Sequence, residues 1–428
     1  MLDLNRIRED PGRVRQALLK RMDAVDFADL LQWDQERRAL IARVGGLRER
    51  RNRVSAQIPQ MKKAGRDTAD IQNEMKSVSG NIRTLEAELS EFEHRIRSFL
   101  EELPNIPADD VPPGGKESNE VVRVWGERPE LAEGARDHVD LVTSLGLIDY
   151  ERGVKMGGAG FWLYRGDGAR LEWALLNYFV EAHLTDGYEF VLPPHLLTYD
   201  CGYTAGQFPK FADDVFHLKW ESEKESRFLL PTSETALINF HRDEILPEAD
   251  LPRKYFSYTP CYRREAGSYR AQERGMIRGH QFNKVEIFQF TRPEDSGRAL
   301  EELIAKAERL VKGLELHHRV SKLAAQDASA AMAKTYDIEI WIPSMGEYKE
   351  VSSASNANDY QSRRGRIRFK RIETGRNEFV HTLNASGLAT SRLIPAIVEQ
   401  TQRPDGSAII PEVLRPYMGG QEILEPAG

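Results

Sequence analysis

The chain of 428 residues is 40% hydrophobic and 30% charged, which leaves room for two or three domains and a large buried core. A net charge of −7 argues against nucleic-acid binding through an overall field, so an RNA contact needs a local basic surface. Cys201 and Cys261 are the only cysteines. Lacking CxxC or Cys/His spacing, they exclude a disulfide scaffold and argue against a structural zinc.

The start, MLDLNRIREDPGRVRQ, is charged and has no apolar stretch, and no run approaches the roughly 18 apolar residues that cross a bilayer. The expectation is a cytoplasmic protein without a membrane segment. From Trp33, the residues Arg37, Leu40, Val44, Leu47, Arg51, Val54, Ile58 and Met61 follow at alternating steps of four and three. A second seam runs from Ile71 through Met75, Val78, Ile82, Leu85, Leu89, Phe92, Ile96 and Phe99 to Leu103. Two such seams around the polar turn Lys62–Asp67 predict an antiparallel helical coiled coil, with each helix about 40 Å long and projecting into solvent. Arg37 and Arg51, at seam positions, read as register devices.

The distal part of this hairpin carries Arg48, Arg50, Arg51, Arg53, Lys62, Lys63, Arg66 and Lys76, whereas its base is acidic. A basic tip suits a phosphate backbone, because each neutralised phosphate releases counterions. A solvated coiled-coil face or an oligomerisation helix accounts for the same composition. Leu103-Pro104-Asn105-Ile106-Pro107 ends the second helix, since proline cannot continue it. The chain thus divides into an arm over residues 1–104, a connection over 105–118 and a large domain over 119–428.

Within that domain Arg170 to Leu184 is predicted as a helix and Tyr188 to Leu192 as a strand ending at Pro193-Pro194. Thr232 and Glu234, just after Pro231, have the character of a helix cap. Tyr336–Ile342 and Glu347–Ser353 read as paired strands that bring Glu350 and Ser353 close, a carboxylate and a hydroxyl of the kind nucleotide-bound Mg²⁺ prefers. By spacing alone this is a weak signal, because most exposed glutamates bind nothing. His381 to Ala389, rich in small residues, precedes Arg392 and a helix from Ile394 to Gln400. Arg392 there is either a phosphate ligand near a helix N-terminus or a surface arginine at an ordinary turn.

The densest stretch is Thr259 to Phe290, TPCYRREAGSYRAQERGMIRGHQFNKVEIFQF. Two strand-like runs, the second alternating from Phe282 to Phe290, flank a polar loop containing Gly267 and Gly275 and predict a long hairpin. Arg263, Arg264, Arg274 and Arg278 lie beside Glu265 and Glu286, which makes either a polyanion site or a mutually paired network.

The strings TPCYRREAG and RGHQFNKVE resemble motif 2 of the class II aminoacyl-tRNA synthetases in its seryl-tRNA synthetase form. EVSSASN and PEVLRPYMGG are similar to the same family, and the arm, linker, motifs and tail occur in its order. One departure is Ala354, where many relatives have cysteine; a small neutral replacement leaves metal binding intact.

That resemblance implies an α+β fold: an antiparallel-sheet class II catalytic domain behind an N-terminal antiparallel helical coiled-coil arm. It implies a homodimer built on the motif 1 helix, strand and proline, with ATP and L-serine as substrates, Mg²⁺ as the metal and no zinc. The tRNA-binding arm grips tRNA(Ser), with tRNA(Sec) as an open further partner, and the tip basics become RNA contacts read by shape. By the same resemblance Thr232, Glu234, Arg263, Glu286, Asn384 and Ser386 bind serine. Arg263, Arg264, Glu265, Arg278, Phe282, Glu350, Val351, Ser352, Ser353 and Arg392 line the ATP site, and Glu350 and Ser353 hold the metal. Arg263 and Arg392 are the catalytic arginines, and Phe282 stacks on adenine opposite Arg392. An ion-pair role is the better account of Arg264, Arg270 and Glu273. Two other functions compete: a synthetase-like amino acid:carrier-protein ligase and a catalytically inactive RNA-binding paralogue. The first lacks such an arm and uses cysteine-bound zinc, and the second is expected to lose Arg263 or Arg392.

Overall fold

The computed structural model describes residues 1–131, 133–219, 227–265 and 275–427. It divides into two compact units, Leu2–Pro104 and Asn105–Gly428, with Met1 counted in the second.

The smaller unit opens with two short helices, Leu4–Glu9 and Pro11–Leu18, which the seam pattern did not reveal. Asp3 and Asp10 cap them through their carboxylates, and Pro11 occupies the first turn of the second, where a missing N–H costs nothing. Two long helices follow, Ala28–Lys63 and Ala69–Glu102, of 36 and 34 residues. At 1.5 Å per residue each is about 50 Å long, longer than expected because the first helix begins before Trp33. Gly65, at φ 69°, turns the chain between them. Leu40, Val44, Met75, Val78, Ile82 and Leu85 form the buried seam. Arg37, expected as a register device, donates to the fully buried Asp34 at 2.7 Å, and Arg8 donates to the same carboxylate at 2.8 Å. Burial pushes the Asp34 carboxyl up, but these arginine hydrogen bonds outweigh it and hold the group below the ordinary carboxylate range.

The larger unit is organised by a central sheet whose strands are numbered here in chain order: β1 Glu120–Trp125, β2 Glu189–Phe190, β3 Arg253–Tyr262, β4 Gln281–Thr291, β5 His318–Lys322, β6 Lys334–Ile342, β7 Glu347–Asn358 and β8 His381–Ala389. Their order across the sheet is β1-β5-β6-β7-β8-β4-β3-β2, antiparallel at every step except β2 against β3. The strand expected over Tyr188–Leu192 is therefore only a short parallel edge. The helices Asp167–Thr185, Ser296–Gly313 and Thr390–Gln400 place Leu175, Phe179, Leu303, Ile304, Leu393 and Ile397 in one cluster with sheet residues such as Ile287, Ile338 and Ala385. Each such buried large side chain contributes about 1.5–3 kcal/mol.

β4 departs from simple alternation, for every residue from Lys284 to Thr291 is buried. Both faces of this strand are covered. Val285 and Ile287 enter the main core, Phe288 and Phe290 enter a second apolar cluster, and Lys284 and Glu286 meet polar partners. Residues 105 onward also belong to the larger unit. Asn105 donates through its side-chain amide to the carbonyls of Ala331 and Ala357 at 2.9 and 2.7 Å, which pins the start of this unit beside β7.

Candidate active site

The β3–β4 hairpin supplies the first group of side chains. Phe282 lies opposite Cys261 in its register, and the Arg263 guanidinium sits 5.2 Å from the centre of the Phe282 ring. Arg263 also donates from Nε to the Pro231 carbonyl at 3.2 Å. Its backbone is braced by His280, whose carbonyl accepts the Arg263 N–H at 2.9 Å. Arg278 pairs with Glu265 at 3.1 Å, and Glu265 holds φ at 50°, a left-handed conformation that is rare for a glutamate. Arg264 is tied to backbone instead, donating to the Asp213 carbonyl at 2.9 Å. Gly267, Arg270, Glu273 and Arg274 lie outside the described residues.

Beneath the hairpin is a buried polar pocket. Glu286 is fully buried, forms an ion pair with Lys284, and accepts a hydrogen bond from Asn384 Nδ2 at 2.9 Å. The same Asn384 nitrogen lies 3.3 Å from Glu234 Oε2. Thr232 joins both sides: its hydroxyl donates to Glu286 at 3.3 Å, accepts from Lys284 at 2.8 Å, and accepts the Glu234 backbone N–H at 3.3 Å. Ser233, not Thr232, is the N-cap residue of the helix Glu234–Leu237, and Thr232 precedes it. Burial, then the Glu286 charge, push the Glu234 carboxyl up to about 7, against hydrogen bonding by Gln361. Ser386 stands opposite Glu286 across β8 and β4.

On the other side, Arg392 occupies the first turn of its helix, which begins at Thr390 and not at Ile394 as expected. It donates to the carbonyls of Glu350 at 2.6 Å and Ile277 at 3.2 Å. One cavity is lined by Arg263, Arg278, Phe282, Lys284, Glu350 and Arg392, so residues from four distant segments share it. Val351 and Ser352 have buried side chains, and the Ser352 hydroxyl donates to the Ser386 carbonyl at 2.6 Å, locking β7 to β8. Ser353 faces Asp337 across β7 and β6. Asp337 is buried beside Glu350, its carboxyl is pushed well up by burial and that charge, and one of its oxygens has no hydrogen-bond partner. Glu350, Ser353 and Asp337 line a neighbouring cavity and offer hard oxygen donors, and among the described residues no group of three or more His, Cys, Asp or Glu side chains gathers as a metal site.

Four residues of the site escaped the sequence reading: Lys284, Gln361, Asp337 and Glu172. Lys284 was legible in principle, since two positions before Glu286 puts it on the same face of β4. Glu172, fully buried, accepts from Asn283 Nδ2 at 2.7 Å and from Thr390 Oγ1 at 2.6 Å. It ties the strand of Phe282 to the helix of Arg392, and burial pushes its carboxyl up to about 7.

In the smaller unit the tip basics divide into two groups. Arg48 pairs with Glu86 at 2.6 Å and Arg50 pairs with Glu74, both across the two long helices. Arg53, Lys62, Lys63, Arg66 and Lys76 are exposed, and Arg51 is half-buried.

Residues 1–107 match the family described as the seryl-tRNA synthetase N-terminal domain, and residues 216–401 match the tRNA synthetase class II core domain (G, H, P, S and T). A serine–tRNA ligase 2 of Clostridium acetobutylicum is 61% identical over 425 residues, 99% of this chain and 100% of that protein. A serine–tRNA ligase of Clostridium tetani is 42% identical over 430 residues, with 99% and 100% coverage. Among solved structures, a seryl-tRNA synthetase from Pyrococcus horikoshii complexed with ATP superposes with a TM-score of 0.92 at 34% identity, covering 100% of both chains.

Proposed function

This chain belongs to the seryl-tRNA synthetase family, and we propose that it activates L-serine with ATP and transfers the seryl group to the 3′ end of tRNA(Ser). The observation that carries this reading is the buried set Thr232, Glu234, Glu286 and Asn384 next to Arg263. Lys284 is paired with Glu286, and Arg263 is taken by the ligand's carboxylate, so Glu234 is left to receive a cation. A ligand ammonium fills that place, with Glu234 and Thr232 as its partners. Glu286 and Ser386 offer hydrogen bonds to a side-chain hydroxyl, so alanine would leave them unpaired and be rejected, whereas threonine is excluded by size.

In the first step a serine carboxylate oxygen attacks the α-phosphorus of ATP, the bond to the bridging oxygen breaks, and pyrophosphate leaves. Two anions approach each other here, so held cations matter more than a general base. Arg263 bridges the serine carboxylate and the α-phosphate, a bidentate task that its planar fork suits. Arg392 takes the γ-phosphate, and Arg278 takes the phosphate side. Phe282 stacks on the adenine, and Glu265 and the Val351–Ser352 backbone border the base. Glu350 and Ser353 would hold Mg²⁺, which would neutralise charge on the ATP phosphates. In the second step the terminal ribose hydroxyl of the tRNA attacks the carbonyl carbon, and AMP leaves.

The exposed tip basics Arg53, Lys62, Lys63, Arg66 and Lys76 contact the tRNA backbone, with Arg51 beside them; Arg48 and Arg50 hold the two helices together. A homodimer is favoured by large apolar side chains exposed on the helix Asp167–Thr185 and just after it, Trp173 at 56% and Leu192 at 70%. The cytoplasm is where these substrates meet. Serine-dependent exchange of pyrophosphate into ATP, followed by charging of tRNA(Ser), tests the whole reading. Exchange with another amino acid and none with serine would overturn it.

A further inference from the structure

We infer that Gln361 is the positioning residue for the substrate's amino group: it holds Glu234 with a neutral donor, so that the carboxylate keeps its charge for an incoming ammonium. The inference rests on the serine-activating function proposed above. Gln361 lies in the short helix Tyr360–Gly365 and is 1% exposed. Its Nε2 donates to the Ala205 carbonyl at 3.0 Å and to Glu234 Oε1 at 2.7 Å, and its Oε1 accepts from the Thr382 hydroxyl at 2.7 Å. The Ala205 carbonyl can only accept, so the amide has one possible orientation, with its nitrogen toward Glu234. Three segments far apart in the chain therefore fix one oxygen of Glu234, while the other, among the described residues, has the longer 3.3 Å contact with Asn384. That longer contact is the one an ammonium can replace.

The chemistry of the donor matters. A lysine or arginine in place of Gln361 would neutralise Glu234 and compete with the ligand, and a carboxylate would force one of the two acids to stay protonated. An amide is the donor that orients without taking the charge. The other charged groups acting on Glu234 are Glu286 and Lys284 on β4 and Arg263 at the end of β3. Glu286 opposes ionisation, and Lys284 and Arg263 favour it, as the Gln361 hydrogen bond does. Its loss should therefore move the pH at which Glu234 ionises upward.

The test measures serine-dependent pyrophosphate exchange from pH 6 to 9 for the unsubstituted protein, Gln361→Met and Thr382→Val, with KM for serine and for ATP and the melting temperature of each. Gln361→Met should raise the serine KM roughly tenfold at pH 7 and shift the acid limb of kcat/KM for serine to higher pH, with the ATP KM within about twofold. Thr382→Val, which leaves the glutamine in place but loosens it, should give a smaller shift in the same direction, and it carries the test should Gln361→Met fail to fold. An unmoved acid limb, or serine and ATP KM rising together at every pH, would reduce Gln361 to a packing residue and overturn the inference. Absence of serine-dependent exchange in the unsubstituted protein would instead overturn the proposed activity, and this assignment with it.

Discussion

Asn384 on β8 donates to Glu286 on β4 across 2.9 Å, in a pocket where Glu286 and Glu234 are both buried. Because the same amide nitrogen lies 3.3 Å from Glu234, the two acids are linked through one neutral group rather than left to repel freely. Lys284, paired with Glu286, neutralises one of them. With Lys284 matched to Glu286 and Arg263 kept for the substrate carboxylate, an ionised Glu234 is the complement of an α-ammonium.

Glu286→Gln leaves Lys284 buried without its counter-charge and removes an acceptor from the hydroxyl subsite. Serine kcat/KM should fall by about 100-fold or more while the ATP KM stays within roughly twofold. The melting temperature should also drop, since removing one partner of a buried pair is strongly destabilising. Pyrophosphate exchange and thermal unfolding check the two effects separately.

Glu234 is an acid whose folded pKa, about 7, exceeds the ordinary 4.5, and Glu172 behaves in the same way. Their protonated forms stabilise the fold fully below about 4.5, and that contribution is lost as pH rises through about 7. Serine binding runs the other way, since an ammonium needs Glu234 ionised. The serine KM should therefore rise as pH falls below about 7, and a fixed serine concentration should raise the melting temperature more at pH 8 than at pH 6.

Arg263→Lys keeps the charge but loses the planar fork and its packing on the Phe282 ring. Exchange should fall by roughly 100-fold to 1000-fold, with serine binding, followed by calorimetry, reduced far less. Equal losses in binding and turnover would mean that Arg263 only shapes the pocket.

The tip basics make a prediction about tRNA alone. Replacing Lys62, Lys63, Arg66 and Lys76 by alanine should leave serine-dependent exchange unchanged and weaken charging of tRNA(Ser). It should also flatten the salt dependence of tRNA binding by about one unit of slope for each phosphate no longer neutralised. Arg48→Ala and Arg50→Ala should instead lower the stability of the helical hairpin modestly, by about 0.2–1 kcal/mol each, as exposed cross-helix ion pairs do.

Local pattern alone determined a good deal of this protein. The four-three seam from Leu40 to Phe92 specifies an antiparallel helical pair because the period of an α-helix leaves it no other way to bury those side chains. The strings around Arg263, Glu286, Glu350 and Arg392 were legible because each motif is contiguous. The tertiary structure decided the rest. Glu172, Asp337 and Gln361 are isolated polar residues in ordinary segments, and nothing within a window of neighbours distinguishes a solvated glutamine from one buried between Glu234 and Thr382. Their roles follow from partners that the chain reaches only after folding, Glu234 and Gln361 being 127 positions apart. The same holds for the uniform burial of β4, which the sequence shows only as an alternating run. Two apolar clusters and a polar pocket cover that strand, and desolvation there, which sequence does not display, sets the acid–base character of Glu234.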